Sequence, residues 1–286
     1  MPQETKKSGF VVLVGRSNVG KSTLLNTLVG TKVAITTAKP QTTRHAIQGI
    51  VHDPRGQIVF VDTPGIFHKA KDILTKKLNL KVKEAMRDID ALVYVVDPTR
   101  PIGPEERELL SLVEMVKKPK ILAINKADIR DLPYIEEYKV LSKNFDKTLN
   151  ISAKENKNIK ELINEIFEQI PEGEPFYPEF QFTNVENKFW FAELIREKVF
   201  TQLHQEIPYS TNVVVDELEE KENNLLYIKA RILTDKKRHK GMIVGRGGRM
   251  IKSIGQTARK EIEAITGKKV YLDLDVAVEE HWPEAF

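Results

Sequence analysis

Along the first 170 residues, short apolar runs alternate with longer stretches in which apolar positions recur every third or fourth residue. The runs at 10–14, 58–61, 91–96, 121–124 and 148–151 are brief and nearly continuous. Strands buried on both faces of a parallel sheet have this pattern. Between them Leu74, Leu78, Val82 and Met86 form a single stripe at four-residue spacing, and Pro104-Glu105-Glu106 has the proline and acids of a helix's first turn. The alternation predicts an α/β domain over 1–170, with a mostly parallel sheet and helices on both faces. In such sheets ligands sit at the carboxyl ends of the strands.

The pattern stops at 171–180. Pro171, Pro175 and Pro178, with Gly173 among them, can continue neither a helix nor a central strand, and the segment is expected to be a linker. Beyond it, 181–286 follows a different order. A helix is expected over 189–203, then strands over 213–219 and 225–233 around a turn at Glu222-Asn223-Asn224. Two helices within 241–265 flank a second glycine loop, and a strand alternates through 269–278. The order α-β-β-α-α-β predicts a small α+β domain.

Composition narrows the classes. The chain has 286 residues, enough for two domains, with apolar and charged shares of 41% and 30% that suit a protein with a real core. Cysteine is absent, which excludes disulfides, a thiolate nucleophile and Cys-based zinc sites and fits a reducing cytoplasm. No run approaches the roughly 20 apolar residues of a membrane-spanning helix, and the polar start at residues 1–9 lacks a signal-peptide core. The six histidines have no metal-site spacing; His239 is expected to join a basic patch, and Trp190 to serve packing. The net charge of +4 is mild, but between Lys229 and Lys269 there are 13 Lys or Arg against three acidic residues, a local balance of +10. That concentration suits a phosphate-backbone binder.

The chemistry is carried by two glycine loops. Gly15-Arg16-Ser17-Asn18-Val19-Gly20-Lys21-Ser22, followed by Thr23, fits G-x-x-x-x-G-K-[ST] at every fixed position. There backbone N–H groups cradle phosphates, Lys21 reaches the β- and γ-phosphates and the Ser22 hydroxyl takes Mg²⁺; Arg16 and Ser17 are expected to be fillers. Asp62-Thr63-Pro64-Gly65 ends a predicted strand, where the carboxylate can hold Mg²⁺ and Gly65 can offer the γ-phosphate an N–H. Asn125-Lys126-Ala127-Asp128 ends another, and Asp128 can accept the N1 and 2-amino hydrogens of guanine, a pair adenine lacks. Ser152-Ala153-Lys154 ends a third, with a backbone N–H for guanine O6. The second loop, Gly245-Arg246-Gly247-Gly248, lies between apolar Ile243-Val244 and Met250-Ile251, the cadence of a KH domain, with Arg238, Lys240, Arg249 and Lys252 as further RNA-binding candidates.

The first half resembles a translation-factor-type GTPase domain, and Pro40-Gln41-Thr42-Thr43-Arg44 resembles its switch I. The resemblance implies Thr43, with Thr42 as fallback, for the threonine that closes on Mg²⁺, so that Ser22, Thr43 and Asp62 form the metal set and Thr43, Asp62, Gly65 and Asn18 the catalytic set. Ras-like enzymes carry a glutamine directly after the switch II glycine; here that residue is Ile66, which cannot orient water. Slow intrinsic hydrolysis is therefore expected, and relatives with Asn at the position of Asn18 imply a K⁺ ion in place of an arginine finger. Taken whole, the chain resembles the Era family of bacterial ribosome-assembly GTPases, with a TrmE-Era-EngA-like α/β P-loop domain (1–170), a linker (171–180) and a type II KH domain (181–286). That resemblance implies binding near the 3′ end of 16S rRNA, a role in 30S subunit assembly, a monomeric state, and a cytoplasmic location with peripheral association at the cell membrane. A nucleotide-gated RNA-binding scaffold with negligible unaided hydrolysis is the alternative; an ATPase or kinase is disfavoured by Asn125 and Asp128.

Overall fold

The computed structural model describes residues 5–65 and 73–282, and the chain divides into two compact units, Met1–Asn184 and Val185–Phe286. The strands of the first are β1 (Lys7–Val14), β2 (Ile47–Asp53), β3 (Gly56–Asp62), β4 (Ala91–Val96), β5 (Lys120–Ile124) and β6 (Lys147–Asn150). They form one sheet in the order β2-β3-β1-β4-β5-β6, parallel throughout except for β2 against β3. Its helices are α1 (Lys21–Val29), α2 (Ile73–Ala85), α3 (Pro104–Glu114), α4 (Ile135–Val140) and α5 (Ile159–Gln169). Val11 to Val14 of β1 and all of β4 are completely buried, as continuous apolar runs in a covered sheet must be. The stripe of Leu74, Leu78, Val82 and Met86 is the buried side of α2 and its exit.

Strand β2 has no counterpart in the sequence reading. It is an antiparallel edge strand, and its alternation is interrupted by Gly49, His52 and Asp53. A tight turn at 54–55 joins it to β3; the Asp53 carboxylate accepts the Arg55 N–H at 3.0 Å. Gly56, at φ 143°, passes so close to β1 that a Cβ there would lie 1.9 Å from the Lys7 carbonyl oxygen. That close approach requires glycine.

The proline-rich segment is not a free tether in this structure. Ser8 donates to the Pro171 carbonyl at 3.1 Å and Gly173 donates to Lys6 at 2.9 Å. Gln57, fully buried in β3, accepts the N–H groups of Phe176 and Tyr177 and donates to the Tyr177 carbonyl. Farther on, Ile50 donates to Phe182 O at 2.9 Å, Thr183 Oγ1 to Gln48 O at 2.7 Å, and Gln48 N to Asn184 Oδ1 at 3.1 Å. The whole stretch 171–184 is a strap, and its last four residues cover the open edge of β2, satisfying backbone groups that an edge strand otherwise exposes.

The second unit consists of α6 (Asn187–Gln202), β7 (Thr211–Lys221), β8 (Leu225–Thr234), α7 (Lys237–Val244), α8 (Arg249–Thr266) and β9 (Lys269–Val278). This is the α-β-β-α-α-β order expected. β7 and β8 pair antiparallel, and β9 returns parallel to β8 after the two helices. Helix α7 begins four residues before the expected start at 241. Its basic first turn masks a buried side built from His239 and Ile243, four residues apart. On α6 a buried Arg196 grips buried Glu193 through two contacts of 2.6 Å. No helix among the described residues is long and apolar enough to cross a membrane.

Gln57→Leu removes three strap hydrogen bonds at once. It is expected to cost about 2 kcal/mol of stability, and amide hydrogen exchange should show faster exchange at Phe176 and Tyr177. Unchanged protection at both would mean that the strap is held by other contacts.

Candidate functional site

β1 ends at the point where strand order reverses, between β3 and β4, and leads directly into the first glycine loop. The loop turns through left-handed conformations at Asn18 (φ 65°) and Gly20 (φ 102°). At Gly20 a Cβ would stand 2.4 Å from the Asn125 amide nitrogen, and at Gly15 one would stand 2.3 Å from Val95 O. α1 then starts with no side-chain cap and no acidic residue in its first turn. Its leading N–H groups make an anion site of the kind phosphate-binding loops use. Lys21 is buried and donates to the carbonyls of Gly15 at 2.7 Å and Arg16 at 3.0 Å. Burial lowers its ammonium to about 8, against the opposing attraction of Asp62 and Glu106. Val19 is buried beneath the loop, while Ser17, Asn18 and Thr23 line the cleft above it.

Three oxygen-bearing side chains from separate segments meet at the cleft floor. Ser22 Oγ lies 2.6 Å from Asp62 Oδ2 and 2.9 Å from Thr43 Oγ1, and Thr43 Oγ1 donates to Asp62 Oδ2 at 3.4 Å. Asp62 is fully buried, and its other oxygen has no hydrogen-bond partner among the described residues. Burial raises its pKa, against the pull of Lys21, Ser22 and Thr43. Thr42 turns elsewhere, its hydroxyl bonded to Thr37 at 2.6 Å and to Lys39 O at 2.7 Å. Thr63 donates back to Leu13 O at 2.9 Å, Pro64 is buried, and Gly65 packs so tightly on Ser17 that a Cβ would sit 2.7 Å from its nitrogen. Ile66 lies outside the described residues.

On the other side of the loop, Asn125 joins three segments. Its amide donates to Val19 O at 2.8 Å, and its carbonyl oxygen accepts the Ala153 N–H at 2.9 Å. Asp128, exposed at the cleft rim, accepts from Ser152 Oγ at 2.6 Å, a bond that lowers its pKa. Lys126 reaches Asp97 Oδ2 at 2.6 Å. Lys154 is exposed beside Glu155. Asn18, Lys126, Asp128, Ala153 and Lys154 line one open cleft contiguous with the phosphate loop.

In the second unit the glycine loop caps α7 and opens α8, with Gly245, Gly247 and Gly248 all at positive φ. Lys240, Arg246, Arg249 and Lys252 are exposed and make no ion pair among the described residues, whereas Arg238 meets Glu206 at 3.2 Å. A groove runs between α8 and β9, lined by Ile251, Lys252, Gly255, Arg259, Leu272 and Leu274. Two expectations need correction. His239 does not join a basic patch: it is 1% exposed, bonded to Ser210 Oγ at 2.9 Å and Asp235 Oδ1 at 3.2 Å. The +10 balance is also partly compensated across the sheet, where Arg231 meets Asp216 and Glu279, Lys229 meets Glu217, and Lys268 meets Glu220. Between Lys229 and Lys269, basic side chains without an ion pair among the described residues lie on α7 (Lys237 and Lys240), at the glycine loop, along α8 and at Lys269.

Comparison with known families matches residues 10–126 to the 50S ribosome-binding GTPase family and residues 206–283 to the KH domain. The GTPase Era of Halothermothrix orenii is 44% identical over 97% of this chain and 95% of its own length; that of Carboxydothermus hydrogenoformans is also 44% identical, over 96% and 94%. The chain belongs to the Era family of GTPases. A crystal structure of Era in complex with MgGDPNP and nucleotides 1506–1542 of 16S ribosomal RNA is similar over 97% of this chain and 95% of that one, with 36% identity and a TM-score of 0.91. An Aquifex aeolicus Era variant bound to GDP·AlF4⁻ is similar at a TM-score of 0.90.

Some residues of this Era-family site escaped sequence reading. Asp97, buried at the end of β4, holds both Lys126 and, at 3.3 Å, Arg100. An acidic residue ending a buried strand beside the other motif-bearing strands was the available signal. Arg16 is no mere filler: its side chain is buried and pairs with Glu106 at 3.0 Å. Nothing at a variable loop position distinguishes such an arginine, because its partner lies 90 residues away.

Proposed function

We propose that this chain is a GTP-driven switch that binds 16S ribosomal RNA near its 3′ end in the cytoplasm and assists 30S subunit assembly. The observation that carries the switch reading is the meeting of Ser22, Thr43 and Asp62. Two hydroxyls and a carboxylate whose buried second oxygen has no hydrogen bond among the described residues suit a hard, oxygen-seeking cation, so this set fits Mg²⁺. Bound there, Mg²⁺ would neutralise charge on the β- and γ-phosphate oxygens. The backbone amides at the start of α1 and Lys21 grip the phosphates, and Gly65, having no side chain, lets its own N–H approach the γ-phosphate. Asp128 reads the guanine edge, and Asn125 holds the base loop against the phosphate loop. Loss of the γ-phosphate on hydrolysis frees Thr43 and its segment, the order–disorder logic of such switches.

The RNA reading rests on the glycine loop, the exposed Arg246, Arg249 and Lys252, and the groove between α8 and β9, together with the RNA carried by the similar Era crystal structure. Glycines let the sugar–phosphate backbone approach, and the groove takes unstacked bases. Coupling between the sites has a route on the first unit: β2 begins four residues after Thr43, and the strap that leads to the second unit is bonded along β2. We also assign a monovalent-cation role to Asn18. Its amide nitrogen donates to Ala38 O at 2.6 Å, and Oδ1 accepts no hydrogen bond among the described residues, which leaves it for K⁺.

Three measurements test these assignments. Asp128→Asn should weaken guanine-nucleotide binding by about 100-fold, the loss of a charge-assisted hydrogen-bond pair, and should shift preference toward xanthine nucleotides; retained guanine preference would remove Asp128 from base reading. Affinity for a 16S 3′-end oligonucleotide should differ by about fivefold or more between GDP and a non-hydrolysable GTP analogue, and equal affinities would overturn the coupling. GTP turnover should be faster in K⁺ than in Na⁺ buffer, whereas equal rates would remove the K⁺ role.

A further inference from the structure

Arg16 occupies a variable position of the phosphate loop, yet its side chain is 7% exposed and lines neither cleft of the nucleotide site. It turns under the loop. Its guanidinium pairs with Glu106 of α3 at 3.0 Å and donates to Pro101 O at 3.0 Å, Arg100 O at 3.3 Å, Tyr138 Oη at 3.2 Å and Asp97 O at 3.5 Å. Glu106 is completely buried and accepts from the hydroxyls of Tyr94 and Tyr138. Burial and the neighbouring Glu106 push both phenols up, so each stays a donor. The gripped segment returns the contact: Arg100 Nη2 donates to Ser17 O at 2.9 Å, and its Nε approaches Asp97, which holds Lys126.

A buried ion pair is poor evidence for stability, because desolvation offsets its attraction and well-packed apolar replacements are often as stable. Here the geometry is fixed by the two terminal nitrogens of the planar guanidinium, which between them reach four acceptors, while Nε faces Glu106 in an ion pair without a hydrogen bond. The clamped residue is also the one whose carbonyl accepts Lys21 Nζ at 3.0 Å. We propose that Arg16 and Glu106 are positioning residues for GTP hydrolysis, a clasp beneath the phosphate loop that fixes its backbone against the transferring phosphoryl group. The inference rests on the GTPase reading above. Reacting groups displaced by about 1 Å can lose about 100-fold in rate, so a clasp that never touches substrate can act strongly on turnover.

The test compares wild type with Arg16→Lys, which keeps the charge and loses the fork, and with an apolar replacement of the whole cluster (Arg16→Met, Glu106→Leu, Tyr94→Phe and Tyr138→Phe). Thermal melting, kcat and KM for GTP, and GDP affinity are measured for each. The expected result is that at least one variant melts close to wild type and that every variant that does so has kcat lowered about tenfold or more, with GDP affinity changed far less. Wild-type kcat in a folded variant would make the cluster purely structural, and failure of both variants to fold would make it a determinant of the fold; either overturns the positioning role. Absence of GTP hydrolysis by wild type itself would instead overturn the underlying reading.

Discussion

Asn125 is the constraint on which the geometry of the first unit turns, because one carboxamide is both donor and acceptor and uses both capacities between loops. It gives a hydrogen bond to the phosphate loop at Val19 and takes one from Ala153 after β6. A carboxylate in its place could not donate and an ammonium could not accept. The surrounding space is equally specific, since Gly20 must lack a Cβ for the amide to approach. Three loops from β1, β5 and β6 are thereby held at one end of a sheet whose central strands are too buried to shift.

Around that joint, polar groups that would be costly to bury are arranged in pairs or are left for a ligand. Asp97 ends a fully buried strand and is matched by Lys126 and Arg100. Asp62 ends another; burial raises its pKa against the pull of Lys21 and of the Ser22 and Thr43 hydroxyls, and one carboxylate oxygen has no hydrogen bond among the described residues. The contrast separates an acid met by cations of the chain from one met chiefly by hydroxyls. A buried polar group left without a partner carries a penalty that a bound cation can remove. Both acids stand at strand ends, and only their partners distinguish them.

The strap changes the physical picture of the connection between the units. A proline-rich segment with no regular structure of its own would be expected to move freely, yet its backbone is tied to Gln57 and Ile50, and the side chains of Thr183 and Asn184 bond the Gln48 backbone. The prolines at 171, 175 and 178 precede the residues that lie on β2, and lacking an N–H they leave no donor of their own to be satisfied. Whatever moves β2 therefore acts first on a bonded strap rather than on a slack tether.

Much of this was legible locally. The phosphate loop, Asp62-Gly65, Asn125-Asp128 and the second glycine loop are short motifs whose chemistry depends on residues adjacent in sequence, and the strands beneath them declare themselves by uninterrupted apolar runs. β2 was not legible, because an edge strand buries less of itself and its pattern is correspondingly broken. The roles of Arg16, Asp97 and Glu106 were invisible for another reason: burial and ion pairing are relations between positions about 30 to 90 residues apart. His239 and the basic run show the converse error, in which charge counted along the chain overstates charge presented to solvent. By itself, then, the sequence determined which loops carry the glycine patterns of phosphate-holding turns and which order of elements carries them. Only the tertiary structure decided which threonine meets Asp62, which charges are neutralised and which arginine braces the loop, because those are matters of distance through space.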